Sequence, residues 1–415
     1  MPTLNDMTSG MRQLVSTLRR HTAREVAQRA ARQLARRLDT EELEFPLLPR
    51  DLADSHDLPT TVPFARRAGS RPRVAWLAFP PGAGSGGHTT LFRVMESARA
   101  AGLENTLLLY DRYGSDLDQR VRTIRTAWPW LDAEIAPLAE QITGYDAVVA
   151  SSWPTAHVAA RRTVEGKRLY FIQDFEPLFH PRGATYAFAE DTYRFGFRNI
   201  ALGRMVHDLI RGETGVRSDL VPFGCDTATY HVASPAGRRS GVTFYAKRGN
   251  DRRGYSLAIR ALEIFHARHP EEPIHVYGDR VDDAAFPAVN HGNLAPARLN
   301  ELYGSVVAGL ALSFTNISLV AEELLAAGVT AVVNDSPLAR ADLPNPYAAW
   351  ADATPAALAD ALSAAVERPD RDEHAGKVAA SVVGRSWEPT GAAVAAIIAD
   401  ELGLSLPLDR AGAPE

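Results

Sequence analysis

Residues 305–335, SVVAGLALSFTNISLVAEELLAAGVTAVVND, constrain the fold more than any other stretch. Val306 to Phe314 is a continuous apolar run, which suits a parallel strand buried on both faces. Thr315, Asn316 and Ser318 form a polar turn, and a short helix begins near Leu319. Gly328 ends that helix where a left-handed residue is needed. Val329 to Val333 is a second strand, stopped by Asn334-Asp335. Such a strand–turn–helix–strand unit belongs to an open α/β sheet, where ligands sit at the carboxyl ends of strands and free helix amides favour anions. On a helical wheel Val320, Leu324 and Ala327 share one face, so Glu323 borders the buried side and Glu322 is expected to point away from it. A carboxylate beside an anion-binding turn repels phosphate, so a binding role implies ribose or sugar hydroxyls. The alternative is a solvated acidic pair complementing the helix dipole.

A chain of 415 residues has room for two or three such domains. The net charge of −5 supplies no basic field for nucleic acid. Cys225 is the only cysteine, which excludes an internal disulfide and a Cys-rich zinc site and fits a reducing cytoplasm. No apolar run reaches bilayer-spanning length, and no signal-peptide pattern is present.

Residues 1–38 differ from the rest: eight arginines, Arg12 to Arg37, crowd a helix-prone segment with Leu14, Leu18, Val26, Ala30 and Leu34 at helical spacing. The segment is expected to be a basic amphipathic extension, suited to an anionic membrane surface, to its own domain or to a partner. Residues 39–70 read as a linker or extended wrap.

Arg73 to Phe79 opens the first sheet, and a glycine-rich turn then leads into a helix from about Thr89 to Ala101. Gly82, Gly84 and Gly87 match the dinucleotide pattern G-x-G-x-x-G, with Asp111 after the next strand (Thr106 to Tyr110). Pro80-Pro81 stands between that first strand and the glycines, where a tight turn would begin at once. His88 lies at the edge of this open backbone. Tyr145 to Ala150 is a strand ending in Ser151, Ser152 and Trp153. Arg168 to Ile172 is another, followed by Gln173, Asp174, Phe175 and Glu176, two acids placed to orient a hydroxyl or to stand solvated in a loop. Ile200 to Arg204 and Leu220 to Phe223 complete the set, and Pro222-Phe223-Gly224 reads as an interdomain break.

A second set begins with the strand Val242 to Ala246 and the turn Lys247-Arg248-Gly249-Asn250-Asp251-Arg252-Arg253-Gly254. Four cations at a strand end suit a diphosphate clamp, because they neutralise charge growing on a leaving group. The helix Ser256 to His266, the strand Ile274 to Gly278, the turn His291 to Leu294 and the helix Pro296 to Tyr303 follow. Trp387 introduces a terminal helix to about Leu402. Asp116-Leu117-Asp118 imitates a metal-holding Asp-x-Asp, but at a helix start capping is the expected role. No zinc-ligand spacing and no serine nucleophile elbow occur.

The stretches YFIQDFEPLF, FYAKRGNDRRGYSLAIRAL and SFTNISLVAEELLAAGVTAVV resemble GT-B glycosyltransferases of family 4, specifically bacterial rhamnosyltransferases that use thymidine-diphospho-rhamnose to build surface polysaccharides. The resemblance covers most of residues 73–400. It implies two Rossmann-like domains facing a central cleft: an acceptor domain at 71–224, a nucleotide-sugar domain at 225–386, a terminal helix at 387–403 crossing back, and a tail at 404–415. It places the family's phosphate-binding cations on Lys247 and Arg253 and its C-terminal glutamate on Glu323, five residues before Gly328. Arg252, Tyr277, Gly278, Asn293, Leu294, Thr315, Asn316 and Ser318 are the implied donor contacts, and Gly86, Gly87, His88, Asp174 and Glu176 the acceptor contacts. Thr315 stands where the family usually has the first glutamate of its Glu-x7-Glu pair. The implied reaction is retaining glycosyl transfer from a nucleoside-diphosphate sugar to a hydroxyl of a growing glycan or lipid-linked glycan, without metal or added cofactor, in the cytoplasm or at the inner face of the membrane. The alternatives are a nicotinamide-dependent oxidoreductase using Gly82, Gly84, Gly87 and Asp111, and a non-catalytic nucleotide-sugar or glycan binding protein.

Overall fold

The computed structural model describes residues 45–59, 61–65, 70–114, 116–232, 238–317, 319–382 and 384–406. The basic segment 1–38, Ser318 and tail residues 407–415 lie outside the described residues. The chain divides into two compact units, Met1–Pro49 and Arg50–Glu415, and both sheets belong to the second.

The first sheet comprises β1 (Arg73–Ala78), β2 (Glu104–Leu109), β3 (Glu134–Pro137), β4 (Ala147–Ala150), β5 (Lys167–Ile172), β6 (Arg198–Leu202) and β7 (Asp219–Val221). The second comprises β8 (Val242–Ala246), β9 (Ile274–Gly278), β10 (Ala288–Gly292), β11 (Ala308–Leu310), β12 (Thr330–Asn334) and β13 (Ala349–Ala351). Their orders are β3-β2-β1-β4-β5-β6-β7 and β10-β9-β8-β11-β12-β13, parallel throughout. Parallel strands need crossover helices, which cover both faces and explain why β4 and β12 are buried along their whole length. In each sheet the order reverses beside the first strand, leaving a crevice at the carboxyl ends: between β1 and β4 in one, between β8 and β11 in the other.

Residues 50–59 and 61–65 run along the first half, with Ala53 N–H donating to His157 Nδ1 at 3.0 Å and Pro59 O accepting from Arg168 at 2.7 Å. Asp51 accepts from Arg162 Nε at 2.7 Å and from the Tyr110 hydroxyl at 2.9 Å, both in buried surroundings. Two chain crossings join the halves. Residues 222–226 and 385–387 run side by side so closely that a β-carbon on Gly224 would sit 2.7 Å from Ser386 O, and the Cys225 amide donates to Arg385 O at 2.6 Å. Beyond the second crossing, the helix Glu388–Glu401 packs on the helix Gly86–Ala100 of the first half, with Gly391 directly against Ser97. Arg198 clasps its last turn through Asp400 at 2.5 Å.

Candidate functional site

The turn after β8 is smaller as a clamp than its four cations imply. Arg248 faces outward, paired with Asp283 at 2.5 Å and lying 4.6 Å over the Tyr255 ring. Lys247 is exposed at the strand end. Arg252 and Arg253 turn inward on a short 3-10 turn, Asp251–Arg253. Arg253 Nη1 donates to Ser313 Oγ at 2.6 Å, a neutral partner. Burial chiefly, with Arg252 adding, lowers its pKa to about 10, so it stays a cation at neutral pH.

Facing these arginines is the turn after β11. Its backbone is fixed by Asn334 at the end of β12, whose amide accepts from Ser313 N–H and donates to Ser313 O, each at 2.8 Å. The Phe314 amide donates to Arg252 O at 2.9 Å, so the two turns are one assembly. Asn334 was not among the residues expected here; its only signal in the sequence is that it stops a strand.

The first half enters at this point through Asp174, which lies at the end of β5 and is 4% exposed. Its carboxylate accepts from Thr315 Oγ1 at 2.7 Å, Arg252 Nη1 at 3.1 Å and Asn316 N–H at 3.2 Å. Asn316 Nδ2 donates to Gln173 O at 2.7 Å. Burial raises the Asp174 pKa, against the opposing pull of Arg252 and Thr315. Asp174 is therefore held by expected donor contacts rather than free on an acceptor surface.

The helix Leu319–Ala326 carries the two glutamates in the opposite sense to the wheel reading. Glu322 is the more buried, 4% exposed, and pairs with Arg385 Nη1 at 2.8 Å. The helix is packed on nearly all sides, so its apolar pattern does not mark a single buried face. Glu323 is partly exposed and looks toward the helix Gly86–Ala100, where Arg93 pairs with Asp226 at 2.7 Å. Burial raises its pKa to about 7, with Arg93 opposing and Asp226 and Glu322 adding. One turn earlier on the same face, Leu319 Cδ1 would lie 3.7 Å from a β-carbon on Gly86. The glycine turn of the first sheet and the Glu323 helix of the second thus meet across the crevice.

Other expected positions sort differently. Tyr277 is buried, its hydroxyl paired with that of Tyr303 at 2.7 Å. Tyr245 stacks on it at 5.1 Å and is only partly buried, within the fields of Arg253, Asp279 and Glu323. Tyr245, which the sequence reading passed over as a strand residue, is the ring presented there. Gly278 has φ +90°, and a β-carbon on it would press on the Tyr245 ring at 2.8 Å. Asn293 is exposed, and Leu294 packs partly against the core.

In the first half the helix begins at Gly86, earlier than the expected Thr89, so Gly86, Gly87 and His88 form its first turn. His88 is neutral and fully engaged: Nδ1 contacts Ser85 Oγ at 2.7 Å, Nε2 contacts Phe79 O at 3.1 Å, and burial lowers its pKa. Since a carbonyl only accepts, Nε2 carries the proton. Glu176 lies beneath the crevice rather than on it. It is 5% exposed, its carboxylate accepts the Trp153 N–H at the start of the helix Trp153–Arg162, and burial raises its pKa to about 8. Asp111 accepts from the Tyr113 N–H in its own turn at 2.9 Å, and Asp116 caps a helix through the Asp118 N–H at 2.9 Å.

Two parallel Rossmann-like sheets, joined by two crossings and a returning helix, with their strand carboxyl ends turned to one crevice, have the GT-B fold of nucleotide-sugar glycosyltransferases. Sucrose-phosphate synthase from Thermosynechococcus elongatus superposes with TM-score 0.63 at 13% identity, over 81% of this chain and 100% of that one. TarM superposes with TM-score 0.62 at 9% identity, over 80% and 99%. A mutant of S. aureus TarM, solved with fondaparinux, α-GlcNAc-glycerol and UDP, gives 0.60 at 10% identity, over 80% and 100%. Family models described as the WsaF N-terminal domain and the WsaF C-terminal domain match residues 136–204 and 240–363. The O-antigen biosynthesis protein RfbC of Myxococcus xanthus is 29% identical over 381 residues, 87% of this chain; the chain spans 29% of that protein's length.

Proposed function

We propose that the chain is a glycosyltransferase that moves a sugar from a nucleoside-diphosphate donor to a hydroxyl of a surface polysaccharide, by retention and with rhamnose as the donor sugar. The observation that carries the reading is the meeting of Arg252, Arg253 and the Ser313–Asn316 turn with the first half's crevice, where Gly86 approaches Leu319. The WsaF and RfbC matches support polysaccharide synthesis as the setting. The family 4 resemblance of the site stretches supports rhamnose and retention.

In this reading the bond between the sugar's anomeric carbon and the diphosphate oxygen breaks, a bond to the acceptor oxygen forms, and the acceptor's hydroxyl proton passes to the departing diphosphate oxygen. Lys247 and Arg253 neutralise the departing diphosphate, and Arg252 and the turn amides add hydrogen bonds. Ionised Glu323 accepts from ribose hydroxyls. Tyr245 floors the space between Glu323 and Arg253. Gly86 and Gly87 present a side-chain-free edge on which the acceptor approaches, with His88 holding that turn to Phe79. Closure of the crevice excludes water, which otherwise hydrolyses the donor.

Thermal shift of the full chain against thymidine- and uridine-diphosphate sugars, followed by transfer assays with the stabilising donors, tests the proposal. A thymidine-diphospho-sugar is expected to raise the melting temperature most and to be consumed when a glycan acceptor is added. Absence of stabilisation by every nucleotide sugar would refute it.

A further inference from the structure

The seat formed by Arg252, Thr315 and Asn316 is occupied, and its occupant is the chain itself. We propose that Asp174 is an internal stand-in for a donor phosphoryl group: its carboxylate fills the anion seat between Arg252 Nη1, Thr315 Oγ1 and the Asn316 amide, and a phosphoryl group enters only by displacing it. The inference deepens the glycosyl-transfer reading and rests on it.

Three observations carry it. Carboxylate and phosphate oxygens accept from the same donors in similar geometry, so the three groups around Asp174 form a seat for either anion. The local charge is also unbalanced. Arg252 and Arg253 face the Asp174 carboxylate, with Glu176 behind it held at a pKa of about 8 by burial and so protonated at neutral pH, and Arg253 has a hydroxyl as its partner, which leaves positive charge that a diphosphate matches better than a single aspartate. Finally, Asn316 Oδ1 is buried without a hydrogen-bond partner among the described residues, an acceptor that a hydroxyl of an incoming donor sugar would satisfy.

The consequence is mechanical. Asp174 belongs to the first half and its three partners to the second, so displacing it breaks three of the bonds joining the halves at this point and leaves Asn316 Nδ2 on Gln173 O and Arg252 over the Phe179 ring. Donor entry and local separation of the halves are then one coupled equilibrium.

Titration calorimetry of the full chain with inorganic pyrophosphate tests this. Asp174→Asn keeps the side chain's shape and removes its charge, and the variant is expected to bind pyrophosphate about five- to tenfold more tightly than the wild type. Asp342→Asn is the control. Asp342 joins the halves elsewhere, accepting from the Arg204 and Met205 N–H groups at 2.6 and 3.1 Å, so its loss loosens them without emptying the seat. Equal or weaker binding by a folded Asp174→Asn protein, no binding by either protein, or equal tightening in both variants would overturn the proposal. Retained sugar transfer in Arg253→Ala would refute the parent reading instead. Lost transfer in Arg253→Ala with unchanged pyrophosphate affinity in Asp174→Asn would sink the displacement alone.

Discussion

Gly86 and Leu319 belong to opposite halves of the molecule, yet a β-carbon on Gly86 would lie 3.7 Å from Leu319 Cδ1. An alanine fits there at ordinary contact distance, whereas a branched side chain presses on Leu319. Gly86→Ala is expected to keep most activity. Gly86→Val is expected to lower kcat/KM about tenfold or more, because a small misplacement of the halves is costly to transfer. Steady-state kinetics with thermal melts decide the point; equal activity of both variants would mean that this contact is not at the working crevice.

Glu323 sets a pH signature. Burial raises its pKa to about 7 from an ordinary 4.5, so the folded state binds its proton more tightly than the unfolded chain. Its contribution to stability is therefore full below about pH 4.5 and is lost as pH rises toward 7. Glu323→Gln is expected to melt progressively higher than the wild type as pH rises from 5 to 8. Donor affinity should show the reverse pattern: rising through about pH 7 in the wild type and flat, at a lower level, in the variant. The same rise in affinity in both proteins would remove Glu323 from the donor site.

Glu322 differs in having a direct cationic partner: burial raises its pKa too, with Arg385 opposing the shift. Its bond to Arg385, a partly exposed side chain, ties the helix Leu319–Ala326 to the second crossing. Glu322→Ala, which leaves Arg385 with no hydrogen-bonding partner at this end, is expected to cost about 1–3 kcal/mol of stability. Urea unfolding at pH 8 reads the contrast directly: loss in Glu322→Ala beside gain in Glu323→Gln.

The Asp51–Arg162 pair is buried on both sides and stands apart from the crevice. Asp51→Ala leaves a buried guanidinium uncompensated and is expected to cost about 3–5 kcal/mol. Donor affinity in the remaining folded protein should be unchanged. A loss below about 1 kcal/mol in chemical denaturation would show that Arg162 finds other partners.

The reach of the sequence follows from which forces are local. Val242–Ala246 and Ile274–Gly278 match the expected strands residue for residue, since both are short apolar runs with a charged or glycine-bearing stop. Gly328 has φ +76°, as a helix-ending residue there requires. The strands Glu134–Pro137 and Ala288–Gly292 escaped notice because each is a sheet edge, partly exposed and without an apolar run, and Ala349–Ala351, another edge, because it is only three residues long. The run Val306 to Phe314 promised a longer strand than Ala308–Leu310; its later residues leave the ladder to form the turn, and Phe314 ends exposed. Arg253 and Glu323 were legible as chemistry in a motif. Asp174 meeting Thr315 across 141 residues was not, because no local pattern encodes which loops of two separate sheets come together.

The central claim is that Lys247 and Arg253, on the turn after β8, hold a departing diphosphate. Turnover of a nucleotide sugar by Lys247→Ala and Arg253→Ala, beside circular dichroism and melting temperature, tests it most directly. The account predicts a fall in kcat of about a hundredfold or more with folding intact, the scale seen when a charge-stabilising group is removed from a transition state. Unchanged kcat in both folded variants would contradict it.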